Sequence, residues 1–275
     1  MTTRDGENLS GQRQDPQHSD HHLLRIRRIL EHRIAPSLML DPALILPSGR
    51  KSGQDEGLSD TMVAMVLQGR EDQARSEIRA LHRGGMSFEQ LQLGLLAPAV
   101  KKLGALWDND NVSFVDVTVA VGTLQRLMHF VSVELEGAPI MLANPRSICI
   151  FPEPGAIHTF GPALVAEYFE HAGWQVHYVP DADRNQLRAI VEGSDVDVLG
   201  LSLGRAEKAD AAATLVAELR AVSRNRRILT VAGGPALVRD PHLMMQLGVD
   251  AVLASIDTAQ IATARMVDHR RADRA

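Results

Sequence analysis

The sequence predicts an α/β fold in which a five-stranded parallel sheet, covered by helices, follows a helical bundle. Two observations carry this reading. Beyond Ser147, short apolar runs alternate with amphipathic stretches of helical period, as strands joined by crossover helices do. Between Leu58 and Leu135 the apolar period is helical throughout.

The elements follow in order. Residues 1 to about 20 are polar and bury almost nothing, so they form a tail too poor in apolar groups to offset the entropy of ordering. Leu23, Leu24, Ile26, Ile29, Leu30 and Ile34 then recur near helical spacing beside Arg25, Arg27, Arg28 and Arg33, a basic amphipathic helix that stops before Pro36. The stretch Pro47 to Gly57 has linker composition, and residues 1–57 make a first segment. A bundle of about four helices is expected over 58–136: Met62 to Leu81 as one helix, a break at Gly84-Gly85, a Ser87 cap opening Phe88 to Leu106, and Phe114 to Leu135. Gly137, Pro139 and Pro145 mark a connector. The α/β unit spans 147–268, with strands at ICIF, VHYV, VDVLGLSL, RILTVAGG and AVLA. Helices are expected from about Gly161, Arg184 and Lys208, near Leu243, and from Thr258.

Bulk properties narrow the function. At 275 residues and 45% hydrophobic content, the chain can bury a core in each of two units. A formal charge of -5 gives no overall positive field to draw it onto nucleic acid or anionic lipid. Cys149 is the only cysteine, so no intramolecular disulfide forms, which fits a reducing compartment. The first residues lack the apolar run of a signal peptide and no stretch is long enough to span a bilayer, so a cytoplasmic protein is expected.

Ligands of open parallel sheets bind beyond the carboxyl ends of the strands, where strand order reverses. The residues there are PEPGAIHTFG, with His158 in a Pro/Gly-interrupted loop and Gly161 opening a helix; Ser202 in GLSLG; and Gly233-Gly234 in VAGGP. Small residues at several strand ends leave room for a bulky ligand approached closely by backbone, and a neutral imidazole at the lip suits cobalt or another borderline metal.

These residues resemble the Rossmann-like (flavodoxin-like) cobalamin-binding fold, in which the histidine of a D-x-H-x-x-G or E-x-x-H-x-x-G motif replaces dimethylbenzimidazole as lower cobalt ligand. The resemblance implies a B12-binding domain in which His158 ligates cobalt and the nucleotide tail threads past Ser202 and Gly233-Gly234. By the same resemblance Thr159, Phe160, Gly161, Leu203 and Gly204 line the cofactor. LLAPAVKKLGALWDND is similar to the cap bundle that precedes such domains, which implies that Trp107 packs over the upper face of the corrin. Two departures stand out. Gly155 and Ala156 occupy the positions from which a carboxylate orients the histidine, with Glu153 nearby at another spacing. The Glu-His pair of photoreceptor relatives falls on Val117 and Thr118, so that upper-ligand histidine is absent; His129, about three turns further along the helix, is an interface histidine or else a candidate upper ligand.

SFVDVTVAVGTLQRLMH and IHTFGPALV look most like the AerR/PpaA group of cobalamin-binding antirepressors of photosynthetic bacteria. That resemblance implies light- or redox-dependent transcriptional control through a DNA-binding repressor of the CrtJ/PpsR type, not catalysis. DNA would be met indirectly or through the basic N-terminal helix. The alternative is a corrinoid-carrying subunit of a methyltransferase or mutase.

Overall fold

The chain turns sharply at Gly69, where a positive φ of 68° ends the first helix, α1 (Gly53–Leu67). Gly69 N–H donates to the Val66 carbonyl at 3.2 Å and Arg70 N–H to the Met65 carbonyl at 2.9 Å, a Schellman closure that reads out the last free carbonyls. Glu71 and Asp72 then open α2 (Glu71–Arg83), where carboxylates favour the positive end of the helix. The one helix expected over Met62–Leu81 is therefore two, because a glycine inside an apolar period supplied a left-handed cap. The computed structural model describes residues 53–135, 137, 144–156 and 159–273, and of residues 53–56 and 257 the backbone alone. The tail and basic helix expected before residue 53 lie outside the described residues, while 53–57, expected as linker, begin α1.

Ser87 caps the next segment reciprocally: Gln90 N–H donates to Ser87 Oγ, and Ser87 N–H to Gln90 Oε1 at 2.8 Å. A π-helical stretch, Gln90–Leu96, runs into α3 (Ala97–Asp108). Ser113 caps α4 (Phe114–Phe130), which widens into a second π stretch at Val131–Leu135. The two wide turns meet through buried Gln92, whose Nε2 donates to the Met128 carbonyl at 3.0 Å and to Ser132 Oγ at 3.2 Å.

The α/β unit is β1 (Ser147–Pro152), α5 (Phe160–His171), β2 (Gln175–Tyr178), α6 (Arg184–Gly193), β3 (Val198–Ser202), α7 (Ala209–Val222), β4 (Leu229–Gly233), α8 (Pro235–Arg239), α9 (Leu243–Leu247), β5 (Ala251–Val252) and α10 (Ile256–Ala272). The short α8, absent from the sequence reading, starts on Pro235, whose fixed φ suits a first helical position. All five strands are parallel in the order β2-β1-β3-β4-β5. Order reverses between β1 and β3, so right-handed crossovers put α5 and α10 on one face and α6 to α9 on the other. Continuous burial of β1 reflects cover on both faces.

The bundle does not end where the sheet begins. Met62, Ile78, Leu91, Leu96, Leu103, Leu124 and Leu127 share one buried cluster with Phe160 and Leu164 of α5 and Ile256 of α10. Burying each such side chain contributes about 1.5–3 kcal/mol, so α5 belongs to both layers. Phe88 adds to the seam, stacked on His171 with ring centroids 3.8 Å apart and tilted against Tyr168 at 5.4 Å. Among the described residues no helix is long and apolar enough to cross a membrane.

Candidate functional site

At the carboxyl rim, beside the switch between β1 and β3, three loops close on one another. Leu203 N–H donates to the Gly233 carbonyl at 2.8 Å, and Ala236 N–H returns to the Leu203 carbonyl at 3.1 Å. This seals the β3 loop to the β4 turn. Gly234 has φ 113°, and a Cβ there would lie 2.8 Å from Leu203 N and 2.9 Å from its carbonyl carbon, so only glycine fits. A Cβ on Gly233 would meet the Leu253 carbonyl oxygen at 3.1 Å.

Below this rim a cavity of about 80 Å³ runs between the sheet face and helices α5 and α10. Ile148, Ile150, Val231 and Gly200 floor it, Pro162, Val165, Phe169 and Ala259 wall it, and Ser202, Gly233 and Gly234 stand at its mouth. Gly200 keeps it open, since a Cβ there would press Ile148 Cδ1 and Ile150 Cγ1, each at 3.3 Å. Sequence reasoning passed over Gly200, although a glycine inside a buried strand is itself a mark of close approach. The slot is narrow, apolar and open at a polar lip. It fits a slender chain, while a macrocycle must lie outside it on the rim.

The loop after β1 is held by charge. Glu153 is 3% exposed, and its Oε2 accepts Gly204 N–H at 2.8 Å while Oε1 accepts Arg205 Nε at 3.2 Å. The second arm of Arg205 donates to the Gly155 carbonyl at 2.6 Å. A carboxylate so committed is engaged with the β3 loop, which gives the odd spacing of Glu153 a physical reason. Arg205 escaped the sequence reading because it lies 52 residues from its partner. Past the loop, Tyr178 Oη donates to the Thr159 carbonyl at 3.0 Å, and burial pushes the phenol's pKa well up, so it stays a donor.

The expected site residues fall into three groups. Ser202, Gly233 and Gly234 line the slot together, and Leu203 and Gly204 form the loop sealed against them. Thr159 stands at the N-cap position of α5 without a side-chain cap bond, Gly161 is buried in the first turn, and fully buried Phe160 turns into the bundle core. His158 lies outside the described residues. Trp107 ends α3, half-buried against the bundle core and edge-on to Phe114 at 6.2 Å. His129 sits elsewhere: its side chain is 66% exposed, its Nδ1 is 3.1 Å from Glu167 Oε1 on α5, and it lines a surface groove with Arg75, Arg126 and Phe130. The geometry thus gives His129 a carboxylate partner on α5, in a groove apart from the slot at Ser202.

Comparison with known proteins agrees with this geometry. Residues 152–262 match the B12 binding domain family. A Rhodobacter capsulatus protein described as an uncharacterized 20.5 kDa protein in the bchF-crtJ intergenic region is 25% identical over 176 residues, covering 64% of this chain and 90% of that one. In fold, the chain is similar to the Methanosarcina barkeri monomethylamine corrinoid protein, with a TM-score of 0.60 at 15% identity, covering 77% of this chain and 99% of the other. The slot and its glycine mouth fit the tail of a corrinoid, and cobalamin is the cofactor of this domain.

Proposed function

We propose that this chain, whose residues 152–262 form a B12 binding domain, is a cobalamin-responsive transcriptional regulator that acts as an antirepressor on a DNA-binding repressor of the CrtJ/PpsR type. His158 would hold the cobalt, Ser202 and Gly233-Gly234 would receive the tail at the mouth of the slot, and Trp107 would pack against the ring. When bound, the cobalamin would supply a cobalt centre that responds to light or redox state.

The observation that carries this reading is the core shared by bundle and α5. The helix that opens at the ligand loop is packed along its length on the bundle through Phe160, Leu164 and Tyr168, so a change at the rim reaches the bundle surface through rigid contacts. A cofactor shifts such an equilibrium by its differential affinity for the two arrangements, and a repressor that binds one of them reads the shift. The relative encoded between bchF and crtJ supports the choice of partner.

The test pairs the purified protein, loaded with hydroxo-, methyl- or adenosylcobalamin and kept dark or illuminated, with a repressor of that type on its operator. The expected result is that one cofactor state weakens operator binding by about tenfold, an allosteric coupling of ordinary size. Operator affinity that is the same with every cofactor state overturns the proposal. Methyl transfer from the methylcobalamin form to a small thiol identifies a corrinoid-carrying subunit instead.

A further inference from the structure

One exposed face of α4 carries a regular stripe. Val115, Val119, Gly122, Arg126, His129 and Val133 follow one another at spacings of 4, 3, 4, 3 and 4 residues, which keeps them on one line along the helix and its π extension. Among the described residues, three of the six well-exposed large apolar side chains sit on it: Val115 at 63%, Val119 at 54% and Val133 at 50%. The two halves of the stripe differ in shape. The valines of the first half protrude, whereas the second half sinks into a groove of about 570 Å³ walled by Arg75 and floored by Phe130, with His129 and Val133 along it. They differ in charge as well. Around the groove Arg75, Arg79 and Arg126 share two carboxylates, Glu71 and Glu134, and both Arg75 and Arg79 lie over the Phe130 ring at 4.8 Å. At the other end Asp116 accepts the Ser113 hydroxyl at 2.6 Å and meets no cation among the described residues.

We propose that this stripe is the contact between two copies of the chain, paired antiparallel about a two-fold axis at residue 124. Its spacing is the same in both directions, so a reversed copy sets Val115 against Val133, Val119 against His129 and Gly122 against Arg126. The protruding valines of each copy then enter the groove of the other. Gly122 leaves room for a long side chain, since the nearest atom to a Cβ there is Nη1 of its own Arg126, at 3.7 Å. Asp116, Phe130 and Glu134 each follow a stripe residue and lie on one flank, and like flanks meet in such a pair. Asp116 of each copy therefore comes level with Phe130 and Glu134 of the other, beside a guanidinium cluster that has one charge more than its carboxylates. A parallel pair sets Arg126 against Arg126 and Asp116 against Asp116, so like charges meet instead. A stripe about 27 Å long makes a contact at the low end of stable interfaces, so the dimer is expected to be reversible. The proposal is independent of the ligands of the cobalt and of the regulatory role.

The test is sedimentation equilibrium of the full chain in the dark, without cofactor and with hydroxocobalamin, from about 1 to about 200 μM. The mass is expected to rise from 30.0 kDa toward twice that value. Val119→Asp puts a charge into the contact and is expected to weaken association about tenfold, with the urea midpoint unchanged because the side chain is exposed in the single chain. Asp116→Arg alone and Arg79→Asp alone are each expected to weaken it about fivefold, the size of one exposed ion pair. Both changes in one chain are expected to restore it, since each copy supplies both halves of the pair. Mixed Val115→Cys and Val133→Cys chains are expected to form a disulfide-linked pair on oxidation, in greater yield than either variant by itself, while buried Cys149 stays out of the reaction. A single-chain mass at every concentration in both preparations overturns the proposal and leaves the face to a partner of another kind. A dimer that Val119→Asp and the charge reversals leave intact overturns it as well, because the copies then meet elsewhere.

Discussion

The two ends of the sheet are built in opposite ways. The carboxyl rim is made of glycines, a serine and backbone in close approach, with one buried carboxylate spent on holding loops. The amino rim is a mesh of ion pairs. Asp197, its side chain only 8% exposed, accepts Ser147 N–H at 2.9 Å and two bonds from Arg271 of α10, and Arg146 grips Asp268 through both oxygens. Arg270 joins Asp250 to the Arg227 carbonyl. Both rims tie helices to strands. The amino rim does it with side chains that fill their own space, and the carboxyl rim with backbone that leaves space empty. A binding site needs the second kind of construction, and the first supplies stability that the second gives up.

Substitutions at the two rims should therefore separate binding from stability. The largest effect is expected for Gly234→Ala, where strain at φ 113° and a clash with Leu203 act together. Cobalamin binding should be lost and stability should fall by about 3 kcal/mol, as for other incompatible backbone sites, measured by titration and by urea unfolding. Asp197→Ala at the opposite rim should cost about 3 kcal/mol, because Arg271 loses a buried partner, yet cobalamin affinity should stay within about twofold. A large loss of affinity there would erase the distinction. Gly200→Ala narrows the slot against Ile148 and Ile150, whose ends can yield. We expect an affinity loss of about tenfold, with stability changed by less than about 1 kcal/mol.

Acid sharpens the same contrast more gently. Hydrogen bonding to Arg146 holds the Asp268 carboxyl below its ordinary 3.8, and bonding to Arg126 holds Glu71 below 4.5. A carboxyl depressed in the folded state stabilises it above the ordinary value, and that contribution is lost as pH falls through the lowered one. Thermal midpoints should thus drop below about pH 4, and Asp268→Asn should reduce the drop. Cys149 gives the smallest signal. Burial pushes its thiol up to about 12, so an uncharged thiol reagent should label it only on unfolding, and quick labelling of the native protein would mean that the face under α6 and α7 opens.

Much of this was legible in the chain. The alternation of apolar runs marked all five strands, and Gly161, Ser202 and Gly233-Gly234 stood out because small residues after strands are visible locally. The break at Gly69 was missed, since a glycine inside a helical period reads equally as an interior residue or a cap. The Glu153–Arg205 pair was missed for a different reason: its partners belong to loops that only the crossover topology brings together. His129 shows the same limit, because its spacing placed it on a helix face without saying that Glu167 of α5 faces it.

Sequence alone thus determined the classes of element, their order and the strand ends at which a ligand could sit, because hydrophobic period and backbone permissiveness are properties of neighbouring residues. Tertiary structure decided which strand ends adjoin, how the bundle and α5 came to share a core, and which side chains hold the ligand loop. Those depend on contacts between residues tens of positions apart, and no local pattern encodes the distance between them.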